Sequence, residues 1–491
     1  MASAGTWTDT PATAVLGPRT PRQVLRAALL STLGALLVGA TAAVLLGRLP
    51  LNLYDVSFSL DWGRELIHGQ PPDVRVVGAS TPHPLSILSG AFAALFGTGA
   101  LTVISGVLYV AAGTALVALF ALGRACRLSA MGVCAALALV ISEPFVFATM
   151  GQATVSDLPS LAAVLVALAL ELGRPRRGTA PLVMLAVAGL FRPEAWLLSA
   201  MYLLWVSPGR SWSARARLGA LALSGPLLWG LTDLLLTGNP LYSLTYTRAS
   251  TMLAQRPTGL RNFPGVLWST LTSYLSTPIL VGAFLGLAID LRARRLHRLI
   301  PVTLVLTVAG FAGLGAANLP LDDRYALPTT LLLAIYFGYF LAGWRRQGAG
   351  WIRRGWIAGA LAVALLAVVA TPADLQALSR DRAQLTAQAL VPAKLSALLR
   401  DRSLRAQIAA CGPVQASYRI MPLLAYDLGR SPRTVVVVDR GVPTAGTVIE
   451  PTAGLAETMF ETHSHPVSSL SRRGYELVAA NDSWLIYTRC A

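Results

Sequence analysis

Long apolar stretches separated by short polar ones make up most of this chain. A run of about 20 apolar residues is long enough to cross a bilayer as a helix. Lipid offers no hydrogen bonds, so a continuous apolar run must satisfy its own backbone as a helix. The runs lack the residue-by-residue alternation of a membrane barrel. Eleven spans are predicted, near 26–48, 99–122, 129–149, 157–173, 179–191, 194–207, 217–237, 268–290, 299–319, 326–344 and 355–371. The runs 179–191 and 194–207 are short, and one long helix kinked around Arg192 and Pro193 is the alternative. PLSILSGAFAALFG, residues 84–97, is too short to span and is expected to be an interfacial helix.

The apolar runs stop near residue 372. Residues 1–25 read as a disordered cytoplasmic tail without a cleavable signal, 26–371 as a transmembrane domain with a first outer loop at 49–98, and 372–491 as a small α/β domain. Helical patterning covers 373–410. RTVVVVDR at 433–440 reads as a buried strand, and YELVAANDSWLIYTR at 475–489 as two strands around an Asn481-Asp482 turn.

Composition agrees: 54% of the residues are hydrophobic and 13% charged, too apolar for a soluble domain of this size. The net charge of +17 does not imply nucleic acid, because the arginines cluster in the short segments between spans. Cationic loops stay cytoplasmic. Arg124 and Arg127, Arg174 to Arg177, Arg210 to Arg217, Arg292 to Arg298, and Arg345 to Arg354 all fall on one side of the predicted topology. Asp55, Asp61, Glu65, Asp73, Glu143, Asp157, Glu194, Asp322 and Asp323 fall on the other. A plasma-membrane protein is expected, with its N-terminus inside and its C-terminal domain outside. There Cys411 and Cys490, which bracket that domain, are candidates for a disulfide.

The outer acids are the candidate chemistry. In YDVSFSLDWGRELIHGQ, residues 54–70, Phe58, Trp62 and Leu66 recur every fourth position. They predict an amphipathic helix lying on the outer leaflet. Asp55 and Asp61 point roughly 120° apart on it, so they do not share a site. Asp55 is either a helix cap or a functional carboxylate at the mouth of the first span. Asp157, at the start of the fourth span, carries the same two readings, since an acid at the rim of a bundle is functional by default. Glu194, which could simply pair with Arg192, is a weaker candidate. His83, Arg248, Arg324 and Tyr325 lie on the same predicted face. Cations that hold a phosphate and an acid that moves a proton suit an anionic lipid headgroup. The bland reading of Arg324 is an ion pair with Asp322 or Asp323. No phosphate-binding glycine loop, HExxH or paired CxxC is present.

The order of these features resembles the GT-C superfamily of polyprenyl-phosphate-dependent glycosyltransferases, in particular the branch of protein O-mannosyltransferases and lipid A aminoarabinose transferases. The resemblance covers residues 26–345 as an arrangement: one span, an outer loop with an acid, a second interfacial helix ending in LFG, and an acid opening the fourth span. It departs in two places. Val56 follows Asp55 where the family has a Glu, and His83-Pro84 stands where it has Lys-Pro. The resemblance implies transfer of a mannose- or arabinose-class sugar from a polyprenyl phosphate to an outer glycan, lipid or protein acceptor, with inversion. It implies that Asp55 and Asp157 are catalytic, Asp55 as general base or by positioning the acceptor, and Asp157 by orienting the acceptor or a cation. His83, Arg324, Tyr325, Arg248, Asp61 and Glu194 would bind substrate or phosphate. No cofactor is required on this reading, and a divalent metal between Asp55 and Asp157 would have only two carboxylate ligands. The rival readings are a non-catalytic envelope-assembly protein with a degenerate transferase fold, which the missing Glu favours, and a transporter, against which the acids sit at the rim rather than mid-span.

Overall fold

The computed structural model describes residues 21–46, 53–76, 78–142, 154–253, 256–294, 296–437, 445–460 and 467–490. Glu143, the end of the span expected at 129–149, the N-terminal 20 residues and the last three positions of the 433–440 strand lie outside them. The molecule is a helical, multi-span membrane protein with a small sheet near its C-terminus. Among the described residues, five helical segments are long and apolar enough to cross a membrane: Gly97–Ala125, Trp212–Thr237, Leu299–Ala316, Asp323–Arg346 and Trp351–Ala370. Leu235, Val305, Leu361 and Val369 on them are each at least 65% exposed, a surface that suits lipid and not water.

Helix Leu327–Ala342 lies at the centre. Its residues are almost all buried, as expected of a helix that is apolar all round. Helix Asp157–Gly173 is nearly as enclosed and belongs to the same core. Both carry site residues at their N-terminal ends. Thr179–Phe191 and Ala195–Val206 are two helices, broken at Arg192 and Pro193 and packed against each other. The span expected at 268–290 is instead a pair, Phe263–Tyr274 and Thr277–Ala293, bent by 113° at Leu275-Ser276. Pro278 fits the first turn of the second helix, where no backbone donor is needed.

The expected first outer loop is packed within the protein. Its helix, Leu53–Ile67, is buried from Val56 to Gly63. On one side it meets helix Pro84–Ala94 so closely that a Cβ on Gly63 would strike the Gly90–Ala91 backbone, and one on Gly90 would strike Ser59. On the other side Phe58 and Trp62 enter a core shared with Leu395, Ile408, Ile420 and Trp484 of the C-terminal region. Protein covers Phe58 and Trp62 of the four-residue stripe, and Leu66 at its end is exposed. Arg64 locks this contact by donating to the Tyr426 carbonyl at 3.0 Å, the Arg430 carbonyl at 2.6 Å and Asp61 at 2.9 Å.

The composition boundary at 371/372 is not a structural one. Helix Trp351–Leu398 runs through it for 48 residues, or roughly 72 Å at 1.5 Å per residue. Beyond it five strands form a mixed sheet: β1 (Val414–Ala416), β2 (Val435–Val437), β3 (Gly446–Pro451), β4 (Glu476–Ala480) and β5 (Trp484–Arg489), in the order β2-β1-β3-β5-β4. β4 and β5 pair antiparallel around the Asn481-Asp482 turn. Cys411 and Cys490 form a disulfide that ties the helix before β1 to the end of β5.

Glu450 on β3 is buried, and burial pushes its pKa up to about 7 from an ordinary 4.5. An unfolded chain releases that proton at lower pH than the folded one. The contribution is therefore full below about pH 4.5, is lost as pH rises toward 7, and is flat above. Hydrogen exchange of the β3 and β5 amides should show faster opening at pH 7 than at pH 5, and Glu450→Gln should flatten that difference.

Candidate active site

A cavity of about 1410 Å³ lies between the helices and the C-terminal region, which contributes Tyr418 and Val437 to its lining. Its polar centre is built from residues far apart in sequence. Asp55 comes from the first turn of the outer-loop helix. Arg324 comes from a 3-10 turn, Asp323–Ala326, just before the central helix. Its Nη1 donates to Asp55 Oδ2 at 3.3 Å and lies 3.7 Å from Asp157 Oδ2; its Nη2 donates to Asp322 Oδ2 at 3.2 Å. Asp55 in turn accepts from Ser80 Oγ at 2.6 Å.

Arg192 forms the second half. Its Nη2 lies 2.9 Å from Asp157 Oδ1, and its Nε is 4.0 Å from Glu194 Oε2. The guanidinium sits 4.2 Å from the centre of the Tyr325 ring, a cation–π contact that shapes its orientation. Thr154 Oγ1 donates to Asp157 Oδ2 at 2.9 Å. Asp157 is the first residue of its helix, where the helix dipole favours a negative charge.

The two carboxylates differ in access. The Asp55 side chain is 20% exposed and faces the cavity; that of Asp157 is 2% exposed and faces the two arginines. Asp157 holds the two guanidiniums in place and lines a small adjoining cavity of about 60 Å³ with Arg192, Glu194, Arg324 and Tyr325, rather than the large one. Arg324 engages three carboxylates, and its Asp55 contact is longer than the 2.7–2.9 Å or so of a strong charge-assisted bond. An anion that reached Arg324 would compete with Asp55.

Several expected positions differ. His83 lines the cavity, but burial, followed by the Arg192 charge and against the pull of Asp157, pushes its pKa down to about 3. It is a neutral imidazole near pH 7 and brings a hydrogen bond, not a charge. Asp61 is fully buried on the far face of its helix, paired with Arg64, and does not line the cavity. Burial holds its pKa well above the usual carboxylate range. Arg248 is exposed, donates to the Ala317 carbonyl at 2.7 Å and is also outside the lining. Glu194 and Tyr325 are part of it. Among the described residues no three His, Cys, Asp or Glu side chains converge as a metal site requires.

Arg192 and Ser80 are the residues that sequence reasoning undervalued. Arg192 had a usable signal, since an ionised side chain between two short apolar runs is costly without a purpose. Ser80 had none. No protein-family model matches the chain, and no curated protein is similar to it in sequence.

Removing one partner of a buried ion pair leaves the other charge stranded. Arg192→Met should lower stability by about 3–5 kcal/mol, and adding Asp157→Leu should recover much of that loss. Thermal unfolding of the detergent-solubilised chain in a double-mutant cycle measures both.

Proposed function

We propose that the protein is an integral-membrane glycosyltransferase of the GT-C type, which moves a sugar from a polyprenyl phosphate to an acceptor outside the cytoplasm. The observation that carries this reading is the contact of Asp55 with Arg324 at 3.3 Å inside a cavity with an apolar side limb. Leu227, Leu231 and Leu234 line that limb and are also 46–65% exposed on the outside of their helix. A lipid-borne substrate can enter there without leaving the bilayer.

On this reading eleven spans place the N-terminus inside and the cavity at the outer face, as the arginine-rich loops require. The donor phosphate binds Arg324 and displaces Asp55 from it. Asp55, still held by Ser80, then takes the proton of an acceptor hydroxyl. The acceptor oxygen bonds to the anomeric carbon from the face opposite the phosphate. The bond from that carbon to the phosphate oxygen breaks, and the electron pair leaves with the polyprenyl phosphate. The sugar is inverted. Arg324 opposes the charge that develops on the leaving phosphate, and Arg192 and Asp157 hold Arg324 in register. His83 supplies a neutral hydrogen bond.

In membranes of equal protein content, Asp55→Asn should reduce transfer of radiolabelled sugar from polyprenyl phosphates to endogenous acceptors by about 10²–10⁴. Unchanged transfer would make Asp55 structural. Failure of the wild type with every polyprenyl donor would favour an assembly protein or a transporter.

A further inference from the structure

The cavity is larger than the roughly 300–1,000 Å³ of a pocket for one small ligand. Besides the apolar limb it has a second, of different chemistry, beneath the C-terminal region. Three tyrosines from three separate elements meet there: Tyr54 from the outer-loop helix, Tyr246 from helix Tyr242–Leu253, and Tyr418 from the loop after β1. Tyr54 and Tyr418 stand edge to face, with centroids 6.1 Å apart. Tyr246 is stacked on Tyr242 at 5.4 Å. Gly78, at φ +78°, makes room for this convergence: a Cβ there would lie 3.1 Å from Tyr54 Oη and 3.6 Å from the Tyr418 ring. Short hydroxyls interleave with the rings. Thr81 and Thr247 share a hydrogen bond of 2.8 Å, and Ser250 and Arg256 complete the lining.

This mixture discriminates among acceptors. A lipid chain wants a continuous apolar wall, which the hydroxyls and the guanidinium interrupt. An extended peptide wants a strand edge to pair its backbone; β2 is an edge strand, but only its last residue, Val437, reaches the cavity. A sugar ring has C–H faces that rest on aromatic rings and equatorial hydroxyls that bond short polar side chains and planar guanidiniums. Tyrosine offers both an apolar body and a polar tip.

We propose that the tyrosine limb is a saccharide subsite, and that the acceptor of the transfer reaction is therefore a glycan rather than a protein or a lipid. Its role as the acceptor site rests on the transferase reading above; the binding of a sugar there does not. Tyr54 and Asp55 both line the same cavity, so a glycan held on the tyrosines lies within reach of that carboxylate. The C-terminal region contributes Tyr418 directly and is thus part of the site.

The test is saturation-transfer NMR on the full-length protein in nanodiscs, without donor. The probes are methyl α-mannobioside, methyl arabinofuranobioside and a blocked threonine peptide. At least one disaccharide should take up saturation on its ring protons from the protein aromatics. Tyr246→Ala and Tyr418→Ala should each weaken its binding at least about tenfold, the loss expected when an aromatic anchor is truncated. Tyr418→Phe keeps the ring and should bind within about threefold of wild type, which separates loss of stacking from loss of folding. Asp55→Asn should bind normally while failing to transfer. The proposal is overturned if neither disaccharide binds, if the alanine variants bind as well as wild type, or if the peptide alone is saturated. A disaccharide that binds a protein inactive toward every polyprenyl donor would sink the transferase reading and leave the sugar site standing.

Discussion

The Arg324 guanidinium, gripped by Asp55, Asp157 and Asp322, is the contact on which the rest of the arrangement depends. These acids arrive from the first outer loop, from the start of a buried helix and from the approach to the central helix. A guanidinium is planar and presents several donors in fixed directions, so it can hold such partners at once. Burying it costs several kcal/mol unless those partners are in place. The outer loop is thereby pinned over the ends of the two most enclosed helices, and Arg192 repeats the device one step deeper with Asp157 and Glu194.

The pairs are graded in access. The Asp157 side chain is 2% exposed and pairs with both guanidiniums. Asp55 shares a cation through a longer contact and faces the cavity. On the proposed transferase reading, a carboxylate that acts as a base has to be released when substrate arrives, and the longer Asp55 contact meets that demand. The lowered pKa of His83 has its main cause in burial, with the nearby charges of Arg192 and Arg324 acting in the same direction.

The outer loop and the C-terminal region form one body. Phe58 and Trp62 are buried against the C-terminal helices and sheet, Arg64 and Asp73 reach across to Tyr426, Arg430 and Arg433, and the 48-residue helix delivers the sheet over the cavity. The region is thus a wall of the cavity and not an appendage.

Much of this was legible in the sequence. Hydrophobic period and length located the helices at 100–125, 157–173, 179–191 and 299–316, because an apolar run in lipid has no other way to satisfy its backbone. The strands around Asn481 followed from alternation and a turn, and the short helix at 84–94 from the length of its apolar run. Asp55 and Arg324 stood out because charge beside an apolar run is costly. The sequence could not say whether the apolar stripe of the Leu53–Ile67 helix meets lipid or protein, because either would cover Phe58 and Trp62. Nor could it tell that Asp61 turns away from the cavity while Arg192, 137 residues from Asp55 in the numbering, joins the site. Those outcomes depend on partners distant in the chain, and only the tertiary packing brings Asp55, Asp157, Arg192 and Arg324 within ion-pair distance of one another.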